Sequence, residues 1–127
     1  MEQTVTNSND VQQAVQSLVN KCDAIYIPTD NVLASSMALV ADITWAAGIP
    51  VVTGAESMVT DGGLATLGLS YYNLGYQTGE MAVKVLQGAD ISTMPVSYSE
   101  TFTKKYNKEL CDELGLTAPE GYVAISE

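Results

Sequence analysis

The feature that most constrains the fold is a rhythm. Short, largely apolar runs, each ending in a polar turn, alternate with stretches whose apolar residues recur at helical spacing. "AIYI" (24–27), "IPVV" (49–52) and "LATLGL" (64–69) are too short for helices and do not alternate with polar residues, the pattern of strands covered on both faces. "SNDVQQAVQSLVNKC" places Val11, Ala14, Val15, Leu18, Val19 and Cys22 on one helical stripe behind an Asn/Asp-rich start. Buried strands alternating with helices predict a parallel sheet with helices on both faces. The expected fold is therefore α/β, a three-layer Rossmann-like lobe with a mainly parallel sheet.

The remaining segments fill in this plan. "QTVTN" (3–7) reads as a short strand, and "NVLASSMALVADITWAAG" (31–48) as one helix closed by Gly48 in a left-handed cap. Asp61-Gly62-Gly63 reads as a turn between two strands. "YYNLGYQTGEMAVKVLQG" (71–88) predicts a longer helix in which Gly75 and Gly79, four apart, would let another element come close. "MPVSYSETF" (94–102) alternates like a strand with one wet face, and "KYNKELCDELG" (105–115) predicts a short amphipathic helix. "QGADISTMP" is the most linker-like stretch, and "TAPEGY" carries no strong signal.

Charge removes whole classes of function. Fifteen acids face five lysines, and the net charge of -10 repels phosphate backbones and anionic lipid, so neither nucleic acid nor a membrane surface is expected as a partner. The chain has no His and no Arg, which removes Ser/His/Asp and Cys/His catalysis, His-ligated zinc and bidentate Arg clamps. Neither GxGxxG nor GxxxxGK[ST] occurs, so nucleotide binding is not expected. Cys22 and Cys111 have no metal-binding spacing and read as small core hydrophobes. No cofactor, no metal and no enzymatic activity are expected. No apolar run has the length of a membrane span, and no charged-then-apolar leader opens the sequence.

In an open α/β sheet, ligands collect outside the carboxyl ends of the strands. Three loops qualify: Pro28-Thr29-Asp30-Asn31, Thr53-Gly54-Ala55-Glu56-Ser57 and Ser70-Tyr71-Tyr72-Asn73. Thr29, Asp30 and Asn31 follow a proline that turns the chain at the rim. Asp30 or Asn31 suits a plain helix N-cap. The same loop also offers a carboxylate to a cation and helix amides to an anion, which together suit a zwitterion. Glu56 and Ser57 share this double reading, and Gly54 would let a ligand approach the backbone. Tyr71 reads either as packing or as the rim of an apolar pocket. Asp30 and Glu56 could also hold Mg²⁺ or act as acid and base, although nothing in their spacing requires it.

"CDAIYIPTDNVLASSMALV", "AGIPVVTGAESMV", "GGLATLGLSYYNLGYQTGEMAVKVLQG" and "MPVSY" resemble the substrate-binding proteins of ABC transporters that take up tryptophan, tyrosine and related solutes. The resemblance covers nearly the whole chain and is most specific at "PTDN" and "YYNLGYQTGEMAVK". It implies a type I periplasmic-binding-protein fold of two Rossmann-like lobes, roughly two or three hundred residues in all, with ligand held between them. Residues 1–127 would form a single partial domain beginning near the second strand of the C-terminal lobe, with the first lobe, the export or lipoprotein signal and the first strand of this lobe outside it. In that scheme 1–66 form the body of the C-terminal lobe, 67–71 a crossover, and 72–127 the crossover helix and a terminal strand-helix segment.

By resemblance, Thr29, Asp30, Asn31, Glu56, Ser57 and Tyr71 become ligand-facing, with Asp30 meeting a ligand ammonium. The implied function is the solute-binding component of an ABC importer for an amino-acid-like solute, aromatic ones included. The implied partners are that small-molecule solute and an ABC permease, and the implied location is extracytoplasmic. The long helix would expose an apolar face, so self-association is expected. The rival readings are an effector-sensing domain of a transcription regulator and a small α/β enzyme using Asp30 and Glu56.

Overall fold

The structure is a computed structural model and describes residues 1–125. Its two compact units are Met1–Gly68 with the chain from Lys104 onward, and Leu69–Thr103.

The first unit is built on a five-stranded sheet in the order β1-β2-β3-β4-β5: β1 Ile25–Ile27, β2 Val51–Thr53, β3 Ala65–Leu69, β4 Phe102–Tyr106 and β5 Val123–Ala124. β1 runs parallel to β2 with Ile25 beside Val51 and Ile27 beside Thr53, and β2 runs parallel to β3 with Val52 beside Ala65. β4 and β5 are likewise parallel, with Lys105 beside Val123. This is the mostly parallel α/β sheet that the alternating apolar runs predict.

Helix α1 (Ser8–Val19) buries Val11 and Val15 against Ile25, Ile27 and Val51 of the sheet and Met37 and Val40 of α3 (Met37–Ala46). At its start Asn7 accepts from the Asn9 amide at 2.9 Å, and Thr6 Oγ1 donates to Asp10 at 2.7 Å. Residues 3–7 are therefore not the strand expected of "QTVTN": Thr6 and Asn7 are engaged in capping a helix. α6 (Lys108–Glu113) begins behind an Asn107 cap and buries Leu110 and Cys111.

The predicted helix over 31–48 is two helices, α2 (Asn31–Ala34) and α3. The hydroxyls of Ser35 and Ser36 both donate to the Val32 carbonyl at 2.9 Å, and this local competition for a backbone acceptor marks the break. A short helix α4 (Glu56–Thr60), not anticipated from the sequence, fills the connection between β2 and β3. The Asp61-Gly62-Gly63 turn is present and leads from α4 into β3. Gly62 adopts φ +124, and a Cβ there would lie 2.3 Å from Ala41 Cβ.

β1 and β2 are not covered on both faces. Tyr26 is 66% exposed and Val52 38%, while their neighbours Ile25, Ile27, Val51 and Thr53 are buried. The last strand is also displaced from its expected place. Residues 94–101 form no strand, and "FTKKY" pairs instead, because it is there that backbone partners in β5 exist.

The second unit is α5 (Tyr71–Leu86) followed by a 3-10 turn (Ile91–Thr93) and an irregular segment. Gln77 donates to Ser97 Oγ and, at 3.2 Å, to the Tyr98 carbonyl, and Asn73 donates to Thr101 Oγ1 at 3.3 Å, so polar bonds tie the segment to the helix. α5 has no buried residue, and Tyr72, Tyr76 and Leu86 are widely exposed. Among the described residues nothing lies within 4 Å of where a Cβ would stand on Gly75 or Gly79.

Candidate functional site

β1 and β2 run side by side and in one direction, so the loops leaving their carboxyl ends emerge together. The contact between them is tight. Gly54 N donates to Ile27 O at 2.9 Å, and a Cβ on Gly54 would stand 2.6 Å from Thr29 Oγ1 and 2.7 Å from Thr29 N. Gly54 therefore admits the neighbouring loop, where the sequence pointed to an approaching ligand. Thr53 is fully buried, and its Oγ1 donates to the Ala55 carbonyl at 3.1 Å, which holds the second loop in its turn.

Asp30 is the N-cap of α2. Its Oδ1 accepts from the amides of Val32 at 2.8 Å and Leu33 at 3.0 Å. Those two amides are thereby committed to the cap rather than open to an anion. The second oxygen, Oδ2, accepts no hydrogen bond among the described residues, and neither ion pair found there includes Asp30. Thr29 and Asn31 flank it, both exposed.

Glu56 opens α4, and its carboxylate lies 3.8 Å from Lys105 Nζ of β4. This lysine was missed from the sequence because "KYNKELCDELG" read as helix. Ser57 follows on the exposed side of the same turn. Tyr71 belongs to the second unit, where it begins α5 behind a Ser70 cap and is 65% exposed. The first unit thus brings Thr29, Asp30, Asn31, Glu56 and Ser57 onto two interlocked loops. The site offers acceptors, one carboxylate free of cations and one neutralised in part by Lys105. Among the described residues, no group of three or more acids or cysteines is arranged to hold a metal ion.

The family model described as ABC transporter substrate binding protein matches residues 1–126. The chain belongs to that family. A tyrosine-binding protein of Clostridioides difficile is 40% identical to this substrate-binding family member over 97 residues, 76% of this chain and 28% of the relative. Among solved structures, the ligand-free, open form of a substrate-binding protein with adhesive properties from Clostridium difficile matches 99% of this chain and 44% of its own, with 42% identity and a TM-score of 0.77. An ABC domain in complex with L-Trp from Streptococcus pneumoniae matches 95% of this chain and 43% of its own, with 35% identity and a TM-score of 0.82. The chain thus spans less than half the length of these relatives.

Both cysteines are free thiols. Cys111 is buried, and its Sγ donates to the Leu116 carbonyl at 3.2 Å. Cys22 is half-buried and is not part of the core cluster in which the sequence placed it.

Proposed function

We propose that the chain acts as the solute-binding component of an ABC importer and receives an aromatic amino acid at Thr29, Asp30, Asn31, Glu56 and Ser57; Tyr71 is a separate ligand-facing candidate within the second unit. The observation that carries this reading is the division of labour within Asp30. One carboxylate oxygen is fixed by two helix amides, which leaves the other pre-aimed and without a cation. An ammonium meeting such an acceptor gains a charge-assisted bond without the cost of ordering the side chain. The tyrosine-binding relative and the tryptophan complex support the choice of an aromatic amino acid.

In this reading residues 1–66 form the body of a C-terminal lobe, 67–71 a crossover, and 72–127 the crossover helix and terminal segment. Closure of the cleft around the solute presents the loaded form to a permease on the extracytoplasmic side. No bond in the solute is made or broken. The exposed tyrosines and Leu86 of α5 favour self-association. Sedimentation showing only monomer at micromolar concentration would remove that part.

Calorimetry with L-tyrosine, L-tryptophan and 3-(4-hydroxyphenyl)propionate tests the solute class. The amino acids are expected to bind, and the acid without an ammonium to bind about tenfold more weakly, the equivalent of one charge-assisted hydrogen bond. Asp30→Asn, which keeps a capping oxygen, is expected to weaken amino-acid binding by about the same factor. Equal affinity for the deaminated acid sinks the role of Asp30, and failure of both amino acids to bind sinks the solute class.

A further inference from the structure

An amino acid brings two charges to a site, and Asp30 accounts for one of them. The solute's carboxylate needs a cation or open amides, and the Val32 and Leu33 amides are already bound to the Asp30 cap. With no Arg and no His in the chain, the side-chain cations are its five lysines. Lys21 precedes β1, at the end of the sheet away from the rim loops. Lys84 belongs to α5 in the second unit. Lys108 donates to Asp112 one turn along α6. Lys104 is exposed and alternates with Lys105 along β4, so the two side chains leave opposite faces of the strand. Among the described residues, Lys105 alone is paired with a rim loop, its Nζ 3.8 Å from Glu56 Oε1 in the same unit.

That pair is a loose one. A charge-assisted N–H···O bond closes to about 2.7–2.9 Å, and Lys105 and Glu56 stand well beyond it. The Glu56 side chain is 46% exposed, so water screens the attraction and the pair adds little to stability. The Lys105 side chain is only 29% exposed. Its stem is packed while its ammonium keeps N–H donors for a closer acceptor. A carboxylate arriving at hydrogen-bond distance would outcompete Glu56 for them.

We propose that Lys105 is the carboxylate anchor of the solute site and that Glu56 is its resting partner. On binding, the solute's carboxylate displaces Glu56 from Lys105 Nζ while its ammonium meets Asp30. The inference rests on the solute reading above and deepens it: the second charge of the solute is assigned, and a ring-bearing amine without a carboxylate is discriminated against at Lys105.

Calorimetry compares L-tyrosine with tyramine, which keeps the ring and the ammonium and lacks the carboxylate. The parent chain is expected to prefer L-tyrosine by about tenfold, the equivalent of one charge-assisted hydrogen bond. Lys105→Gln is expected to weaken L-tyrosine by about tenfold and to leave tyramine within about twofold, so that the preference collapses. Retained tyramine binding also shows that this variant is folded. Lys105→Arg keeps the cation and is expected to keep the preference. Glu56→Gln removes the competitor and is expected to tighten L-tyrosine about two- to fivefold. Equal weakening of both ligands by Lys105→Gln, with the preference intact, shows a structural role only and overturns the proposal. Weaker L-tyrosine binding in Glu56→Gln overturns the exchange, since Glu56 then holds the solute itself. A parent chain that binds neither L-tyrosine nor L-tryptophan fails the solute reading, and the anchor falls with it. One that binds both and keeps its preference without Lys105 leaves that reading standing and removes only the anchor.

Discussion

Gly54 and Thr29 are in backbone contact across the two rim loops: a Cβ on Gly54 would stand 2.7 Å from Thr29 N and 2.6 Å from its Oγ1. The first loop is therefore held in place by the second, and the carboxylate of Asp30 inherits its position from a glycine twenty-four residues away.

This contact makes a paired prediction. Gly54→Ala must push backbone aside and is expected to cost about 1–3 kcal/mol, read as a lowered urea midpoint. Gly75→Ala meets nothing within 4 Å, lies inside α5 and is expected to stabilise by about 0.5–1 kcal/mol. Unchanged stability of Gly54→Ala would show that the loops part easily.

The cap at Asp30 separates two roles of one side chain. Asp30→Ala removes the acceptor for the amides of Val32 and Leu33 and is expected to cost about 1 kcal/mol. Asp30→Asn keeps a cap and should leave the midpoint within about 0.3 kcal/mol of the parent. If thermal melts show the asparagine variant falling as far as the alanine one, charge and not capping holds the loop.

The sheet was legible because the runs "AIYI", "IPVV" and "LATLGL" state both burial and length. What they did not state is which face would find cover: Tyr26 and Val52 are as apolar as their buried neighbours, and only the assembled structure distinguishes them. α4 was hidden because its N-cap is Ala55, with no side-chain capping bond to announce a start. The break between α2 and α3 was written in Ser35-Ser36, but two serines carry weight only once Val32 O is seen to accept both hydroxyls. "MPVSYSETF" alternates well and still forms no strand, since alternation cannot supply a neighbouring edge. At the candidate site, Asp30 was legible as a rim residue that could cap or bind; the structure shows Oδ1 capping α2 and no hydrogen bond to Oδ2 among the described residues. Lys105 beside Glu56 left no signal, being a tertiary contact forty-nine residues away.

Asp90 gives the second unit a pH-dependent element. Its carboxylate accepts from the Ser92 hydroxyl at 2.7 Å and the Ser92 amide at 2.9 Å, and these bonds hold its pKa below the ordinary 3.8. A depressed folded pKa means that the contribution is complete above the unfolded value and lost as pH falls through the folded one. The Ile91–Thr93 turn should therefore persist at pH 4 and loosen only on further acidification, followed by the carboxyl carbon of Asp90 in an NMR titration. Ser92→Ala is expected to move that midpoint back up toward 3.8. A midpoint that ignores the substitution would leave the depression without its cause.

Trp45, the single tryptophan, anchors the turn before β3: its Nε1 donates to the Gly62 carbonyl at 3.0 Å across seventeen residues. Gly62 must accept that bond at φ +124 with Ala41 Cβ at 2.3 Å from where a side chain would begin. Gly62→Ala combines backbone strain of about 1–2 kcal/mol with a core clash of about 1–3 kcal/mol, and is expected to be the more damaging change of the two. Trp45→Phe keeps an aromatic ring but leaves the carbonyl without its donor, at about 1 kcal/mol. Trp45 fluorescence reports the unfolding of the first unit for Gly62→Ala, and circular dichroism does so for Trp45→Phe. Equal losses in the two variants would mean that Gly62 is needed only as an acceptor and that its conformation carries no strain.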